Sequence, residues 1–369
     1  MAEELSFSVR DIPACARYAF SARKIWVYFK TLLLAWLIWD IFVYLGFFAA
    51  GCDMAARWDQ SRLLPLPGSL FWVDPVPVIL LVVGAVLIVH VLMRGSMMVS
   101  SLTFQQMRGD SFFSGSDAAA FARRHSAPLV AIPMMLLVTL ALFLMTGIIA
   151  GLVSRIPAVG PVIAALFSVP MWGTMLLGLL TAAGLLLSLD LVPSVVATTR
   201  GDTFEAIFEV FSTLTSQSWR LLLYILVAAI VIVLSTALFL AASSIALTLL
   251  AIAFGLGSNE GGLVSSMAAG PQFLAPEILP YFSGLLNPGQ TGGQVWTGAA
   301  GLVASVSGTA VLLLVLSYFL SGWSAAWTII YTVLKYRKDG ENLLERADME
   351  EQREFDRMYG ESGPGQSSE

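Results

Sequence analysis

Six long apolar runs dominate the chain, and each is long enough to cross a lipid bilayer as a helix. They are Trp26–Ala50, Pro77–Met98, Pro128–Val153, Met171–Val192, Leu221–Gly255 and Ala299–Leu334. A spanning helix needs about 20 apolar residues, and an open strand would leave backbone polar groups unpaired in lipid. Charged residues make up 12% of the 369 residues, against about 25% in soluble domains. The sequence therefore predicts an all-α polytopic membrane protein with six transmembrane helices.

The distribution of basic residues predicts the orientation of the chain in the membrane. Of 20 lysines and arginines, 17 lie in the N-terminal stretch, the 94–126 region, the 194–220 loop and the C-terminal tail. The other connecting segments hold only Arg57, Arg62 and Arg155. Because segments rich in Lys and Arg remain on the cytoplasmic side, we expect both termini to face the cytoplasm.

The same pattern divides the chain into three parts. We expect a cytoplasmic amphipathic segment at 1–25, a six-helix membrane domain at 26–335 and a charged cytoplasmic tail at 336–369. The first 24 residues lack the apolar core of a signal peptide, so the first run is expected to remain as an anchor. Cys15 and Cys52 flank that run on opposite sides of a core of about 30 Å, which predicts that they form no disulfide with each other.

A pentapeptide recurs at two equivalent places in the chain. Arg-Gly-Asp-Ser-Phe at 108–112 returns as Arg-Gly-Asp-Thr-Phe at 200–204. Each copy precedes a short amphipathic stretch and then an outward-going span, and a third such stretch begins near Asp11. Because each unit enters the membrane from the same side, the repeats are parallel. We predict repeats of an amphipathic surface helix plus a transmembrane hairpin over about 10–98, 108–193 and 200–334.

The second copy continues into the clearest amphipathic stretch of the chain. Asp202, followed three residues later by Glu205, is typical of a capped helix start. Apolar residues then recur at helical spacing and form one stripe. This interfacial helix is predicted to place four side chains against lipid or the helix bundle at the cytoplasmic surface: Phe204, Ile207, Phe208 and Phe211.

Two segments depart from the simple pattern of spans and short loops. Residues 156–192 form one nearly uncharged run with three prolines, which predicts a short half-helix over Ala158–Val169 that ends at Pro170. The segment Leu256–Thr297 is rich in Gly, Ser and Pro. We interpret it as an outer loop that lies on the membrane surface or covers a neighbouring subunit, or else as a poorly ordered connector.

Two ionisable residues lie near the middle of consecutive spans. Asp40 is in the first span and His90 is in the second. Ionisable groups inside a membrane are costly, so each indicates a structural or functional partner. The spans run in opposite directions, which predicts that the two side chains form an intramembrane polar pair. The pair is either a hydrogen bond between helices or part of a proton relay.

The order of surface helices and hairpins resembles a known group of proteins. Together with the break Ile-Pro-Ala-Val-Gly-Pro at 156–161, it is similar to uncharacterised bacterial six-helix membrane proteins related to the membrane domain associated with glycerophosphodiester phosphodiesterases. The resemblance covers most of residues 100–335. It implies a multi-pass protein of the cytoplasmic (inner) membrane of a bacterium. The phosphodiesterase domain itself does not occur in the chain, so the resemblance implies no hydrolytic site.

No motif in the sequence indicates catalysis, and we expect neither an enzyme nor a bound metal or cofactor. The net charge of −5 and the lack of a basic stripe argue against nucleic acid. Two hypotheses remain open. The first is a non-catalytic membrane protein that acts by interaction, as a scaffold, assembly factor or accessory subunit, with membrane lipids and other membrane subunits as partners. The alternative is a transporter or permease for an apolar or lipid-like molecule.

Overall fold

A computed structural model describes residues 6–72, 74–110, 112–257, 262–274 and 298–345. Helices account for the regular structure of these residues, and no strand occurs among them. The helices are α1 (Ala14–Ala19), α2 (Ala22–Ala49), α3 (Met54–Ser61), α4 (Pro75–Met107), α5 (Gly115–Arg124), α6 (Ala127–Val153), α7 (Gly160–Leu166), α8 (Ser168–Thr199), α9 (Thr203–Ser216), α10 (Ser218–Gly257), α11 (Gly262–Leu274) and α12 (Gly298–Asp339). Among the described residues, six helices are long and apolar enough to cross a membrane, namely α2, α4, α6, α8, α10 and α12.

Several long helices extend past the predicted apolar runs at their C-terminal ends. α4 ends at Met107 and α12 at Asp339. Gly109 and Gly340 follow with φ angles of +87° and +70°. A left-handed residue after the last turn ends a helix, and glycine adopts that conformation without a Cβ clash. Turn chemistry therefore sets these ends, rather than the loss of apolar side chains.

The chain divides into two compact units. The first contains the described residues of 6–12, 97–227 and 324–345, and the second contains 13–96 and the described residues of 228–323. α4, α10 and α12 each contribute residues to both units.

In the first unit, α6 and α8 form an antiparallel hairpin, and α9 packs on both. A Cβ atom on Gly147 of α6 would lie 3.0 Å from Met175 Cε of α8, and one on Gly178 of α8 would lie 3.4 Å from Phe143 Cβ of α6. Small residues allow such close helix packing in membranes.

The turn between α6 and α8 contains the short helix α7. It lies inside the half-helix predicted over Ala158–Val169. Pro170 does not end it as expected, because α8 already begins at Ser168. A proline in the first turn removes no intrahelical hydrogen bond, so it is tolerated there.

In the second unit, α2 and α4 pack closely through glycines of α4. A Cβ atom on Gly84 would lie 2.7 Å from Phe42 Cβ, and one on Gly95 would lie 2.7 Å from Thr31 Cγ2. These two contacts fix an antiparallel register between the helices. The register determines which other side chains of α2 and α4 lie at the same depth.

The described part of the segment Leu256–Thr297 is helical rather than a loop. It includes α11, which packs antiparallel on α12. Gly308 faces the Met267 carbonyl oxygen and Gly270 faces Ser305 Cα, and a Cβ atom on either glycine would clash with its neighbour. The Gly and Ser residues that suggested a loop also allow two helices to approach closely. Residues 275–297 lie outside the described residues.

Candidate functional site

A cavity of about 630 Å³ lies in the second unit among α2, α4, α10 and α12. We call it the apolar cavity. Its lining consists of Leu32, Ala35, Trp36, Leu64, Ile88, Leu92, Thr236, Leu240, Thr309, Leu312, Leu313, Val315, Leu316 and Phe319. The helical residues of this set lie roughly 15 Å or more from the nearest end of their helix, at a rise of 1.5 Å per residue. The apolar cavity therefore lies near the middle of helices that are long enough to cross a membrane.

Only three of the lining side chains carry polar atoms, and two of these atoms are already bonded. Trp36 Nε1 donates a hydrogen bond to the carbonyl oxygen of Leu63, and Thr309 Oγ1 donates to the Ser305 carbonyl oxygen over 3.0 Å. The hydroxyl of Thr236 is buried and has no hydrogen-bond partner among the described residues. The lining therefore presents almost only hydrocarbon to an occupant, together with one available hydroxyl.

Aromatic side chains of α2 hold a short segment beside the apolar cavity. Trp39 Nε1 donates to the Pro65 carbonyl oxygen over 3.0 Å, next to the bond from Trp36. Leu64, between the two acceptors, contributes to the lining. Both indoles satisfy their N–H groups on backbone carbonyls, so their ring faces remain available for apolar contact.

Asp40 lies on the same side of α2 as the lining residues. Leu32 and Trp36 line the apolar cavity, and Asp40 follows at the next i+4 position, so the three share one helix face. Asp40 is half-buried. Its Oδ1 atom is buried and has no hydrogen-bond partner among the described residues. The carboxyl group is thus placed one turn beyond the apolar cavity.

The structure does not form a hydrogen bond between Asp40 Oδ1 and His90 Nδ1. His90 Nδ1 is also buried without a hydrogen-bond partner among the described residues. In the register set by the Gly84 and Gly95 contacts, His90 is four residues from the position opposite Asp40, or roughly 6 Å along the axis. The intramembrane pair of Asp40 and His90 therefore stays a prediction, without a direct bond between these two atoms.

The stretch predicted to form the interfacial helix is helical and forms α9. Asp202 caps it, with the carboxylate accepting a hydrogen bond from the Glu205 backbone N–H over 2.9 Å. Phe204 and Phe208 are 76% and 67% exposed. Phe211 packs on α8, where a Cβ on Gly184 would lie 3.3 Å from its ring, and Ile207 is half-buried. The four apolar side chains of the predicted stripe thus have different surroundings.

The buried face of α9 contains an acidic residue that sequence reasoning missed. Buried residues on this face are Ala206, Glu209, Val210 and Thr213. Glu209 Oε1 lies 2.5 Å from Lys335 Nζ of α12, and Oε2 lies 3.6 Å from Lys338 Nζ. Lys335 also pairs with Asp339 at 2.7 Å. Two features of the sequence could have indicated this contact. Glu209 lies at helical spacing between small residues, and lysines occur at the end of the last apolar run.

Among the described residues, no group of three or more His, Cys, Asp or Glu side chains is placed to hold a metal ion. Comparison with known proteins adds no relative. No family model matches the chain, and neither a curated protein nor a solved structure matches it.

Proposed function

We propose that the protein binds an apolar or lipid-like molecule inside the membrane and acts as a transporter or permease for it. The apolar cavity carries this proposal. Its volume of about 630 Å³ is within the range of about 300–1,000 Å³ that is usual for small-molecule sites. A mainly hydrocarbon lining selects an apolar occupant, since a polar molecule would lose its hydrogen bonds to water there.

We further propose that the protein is a multi-pass protein of a bacterial inner membrane with both termini in the cytoplasm. The distribution of basic residues supports this orientation. The proposed repeats have support from the order of the helices, because a short helix directly precedes each of α2, α6 and α10. These are α1, α5 and α9.

Photolabelling with a diazirine-bearing fatty acid tests the occupant of the apolar cavity. Leu313 lines the cavity, whereas its neighbour Leu314 does not and is 36% exposed. We expect Leu313→Trp to narrow the cavity and reduce labelling of lining residues, and Leu314→Trp to leave labelling unchanged. Equal labelling of the cavity peptides in both variants, with both proteins folded, would contradict the proposal.

A second candidate is the interaction role of a scaffold, assembly factor or accessory subunit. The outer half of α6 favours it, because exposed apolar side chains such as Leu142 and Ile149 cover that half. In the most apolar 18-residue stretch of α6, only 6% of the residues are buried, which is the smallest share among the six long helices. A photocrosslinkable residue at Leu142 distinguishes the roles, since a partner subunit would give one protein adduct of defined mass and lipid contact would give lipid adducts.

A further inference from the structure

The two arginines of the repeated pentapeptide lie at one small pocket. Arg108 and Arg200 are 92 positions apart in the sequence, yet both line the same pocket in the first unit. Arg108 follows the last residue of α4, and Arg200 follows the last residue of α8. The hydroxyl groups of Ser100 and Ser194 lie 3.3 Å apart, so the final turns of the two helices are neighbours. We call this site the arginine pocket.

The lining of the arginine pocket combines two positive charges with neutral polar groups. Ser101, Gln105 and Thr198 contribute hydroxyl and amide groups, and aromatic rings form much of the remaining wall. No carboxylate is among the lining residues. Arg108 Nη1 donates to Gln105 Oε1 over 3.0 Å, which positions the guanidinium. The pocket is therefore lined by two cationic side chains, and a neighbouring glutamine holds one of them.

The aspartate of each motif accepts hydrogen bonds from the backbone that closely follows it. Asp110 Oδ1 accepts hydrogen bonds from the backbone N–H groups of Phe112 and Phe113, over 2.8 and 3.2 Å. Asp202 Oδ1 accepts from the backbone N–H of Glu205. In each Arg-Gly-Asp motif, the carboxylate therefore bonds to the following backbone, and the arginine lines the arginine pocket.

We propose that the arginine pocket binds a phosphate group. A guanidinium presents its N–H donors in a planar fork that matches phosphate oxygens. The pocket volume of about 30 Å³ is roughly twice the minimum for one water, which suits a phosphate group but no larger headgroup. In the proposed orientation, both arginines lie at cytoplasmic helix ends, at the level of lipid headgroups. The phosphate therefore comes from a lipid with a small headgroup, such as phosphatidic acid, or from free phosphate.

Native mass spectrometry of the full chain in detergent tests this proposal. The probes are short-chain phosphatidic acid, the matching diacylglycerol and inorganic phosphate. We expect wild-type protein to retain phosphatidic acid and not diacylglycerol. Arg108→Gln and Arg200→Gln should each weaken retention about tenfold, since a charge-assisted bond is lost. Arg123→Gln with Arg124→Gln is the matched control, because both side chains are exposed on α5 and outside the pocket.

The lysine variants keep the outcome interpretable if a glutamine variant does not fold. Arg108→Lys and Arg200→Lys retain the charge but lose the fork, so they should fold and still bind more weakly than wild type. If the wild-type protein retained inorganic phosphate and the arginine variants did not, free phosphate would be identified as the ligand. Competition between inorganic phosphate and phosphatidic acid would show that the pocket recognises the phosphate group. Equal retention of diacylglycerol and phosphatidic acid, or an equal loss in the Arg123 and Arg124 control, would overturn the proposal.

Discussion

Glu209 of α9 forms an ion pair with Lys335 of α12, with 2.5 Å between Oε1 and Nζ. The side chains are only 5% and 10% exposed. Lys338 lies 3.6 Å from the same carboxylate, and its Nζ is 5.8 Å from the centre of the Phe208 ring. α9 is therefore attached to α12 by charged contacts.

Glu209 and Lys335 should be energetically coupled. We expect Glu209→Gln and Lys335→Gln each to cost less than the about 3–5 kcal/mol of an uncompensated buried charge, because Asp339 or Lys338 remains as a second partner. The double-mutant cycle should give a coupling of about 2 kcal/mol. The measurement is the unfolding midpoint of each variant in a titration with a denaturing detergent.

Glu205→Gln is the charge-matched control for this cycle. It lies one turn earlier on α9, and no ion pair involves it among the described residues. Its effect should be within about 0.5 kcal/mol. If the free-energy changes of the Glu209 and Lys335 substitutions were additive in the double variant, the contact would not stabilise the fold.

The two native cysteines should differ sharply in reactivity. Cys15 is fully buried, and burial raises the pKa of its thiol to about 12, so almost no reactive thiolate forms at neutral pH. Cys52 is partly exposed at the predicted outer end of the first span. We expect a membrane-impermeant maleimide to modify Cys52 in intact cells and to leave Cys15 unmodified.

Cys52→Ser should abolish this labelling. A Ser116→Cys variant provides the opposite control, because Ser116 is exposed on α5, on the predicted cytoplasmic side. Labelling at position 116 in intact cells, without labelling of Cys52, would reverse the proposed orientation.

Asp40 and His90 should contribute independently to stability. Because Oδ1 and Nδ1 lack hydrogen-bond partners among the described residues, Asp40→Leu should raise the thermal midpoint in detergent. A helix-centre Asp costs about 2.5–3.5 kcal/mol on insertion scales, whereas Leu is favourable. The effects of Asp40→Leu and His90→Leu on the free energy of unfolding should add to within about 0.5 kcal/mol. A coupling well above that value would support the predicted pair of Asp40 and His90.

Phe208 and Phe211 should meet different molecules although both are apolar side chains of α9. Phe208 is 67% exposed, and Phe211 packs on Gly184 of α8. We expect benzoyl-phenylalanine at 208 to crosslink to lipid, and at 211 to a peptide from α8. Mass spectrometry of the digested adducts distinguishes these products. Crosslinks from both positions to the same protein peptide would contradict this assignment of faces.

The sequence predicts the long helices well because one physical quantity, apolar length, determines them. Apolar length does not predict where α4 and α12 end, because the left-handed residues Gly109 and Gly340 set these ends. It does not predict α11 either, because glycine and serine are ambiguous between a loop and a close helix contact. Composition cannot resolve that ambiguity without knowledge that Gly308 faces Met267.

The sites depend on contacts between distant positions, and such contacts leave little trace in one sequence. The repeated motif locates Arg108 and Arg200 but gives no indication that they line one pocket. The apolar cavity has no sequence signal, because Leu313 inside it and Leu314 outside it are the same residue type. Asp40 is detectable through the cost of a charge in lipid, whereas Glu209 lies on a helix that is predicted to be at the surface, where a carboxylate carries no such cost.

The ion pair of α9 also has a consequence for the order in which the protein is assembled. Glu209 precedes Lys335 by 126 residues, so the ribosome completes α9 roughly ten seconds before α12 at typical elongation rates. During that interval no lysine of α12 is available to the carboxylate, and burying it would be costly. α9 should therefore remain loosely attached at the membrane surface until the last long helix inserts. Its docking would then mark the end of assembly, and a chain truncated before α12 should expose α9 to protease.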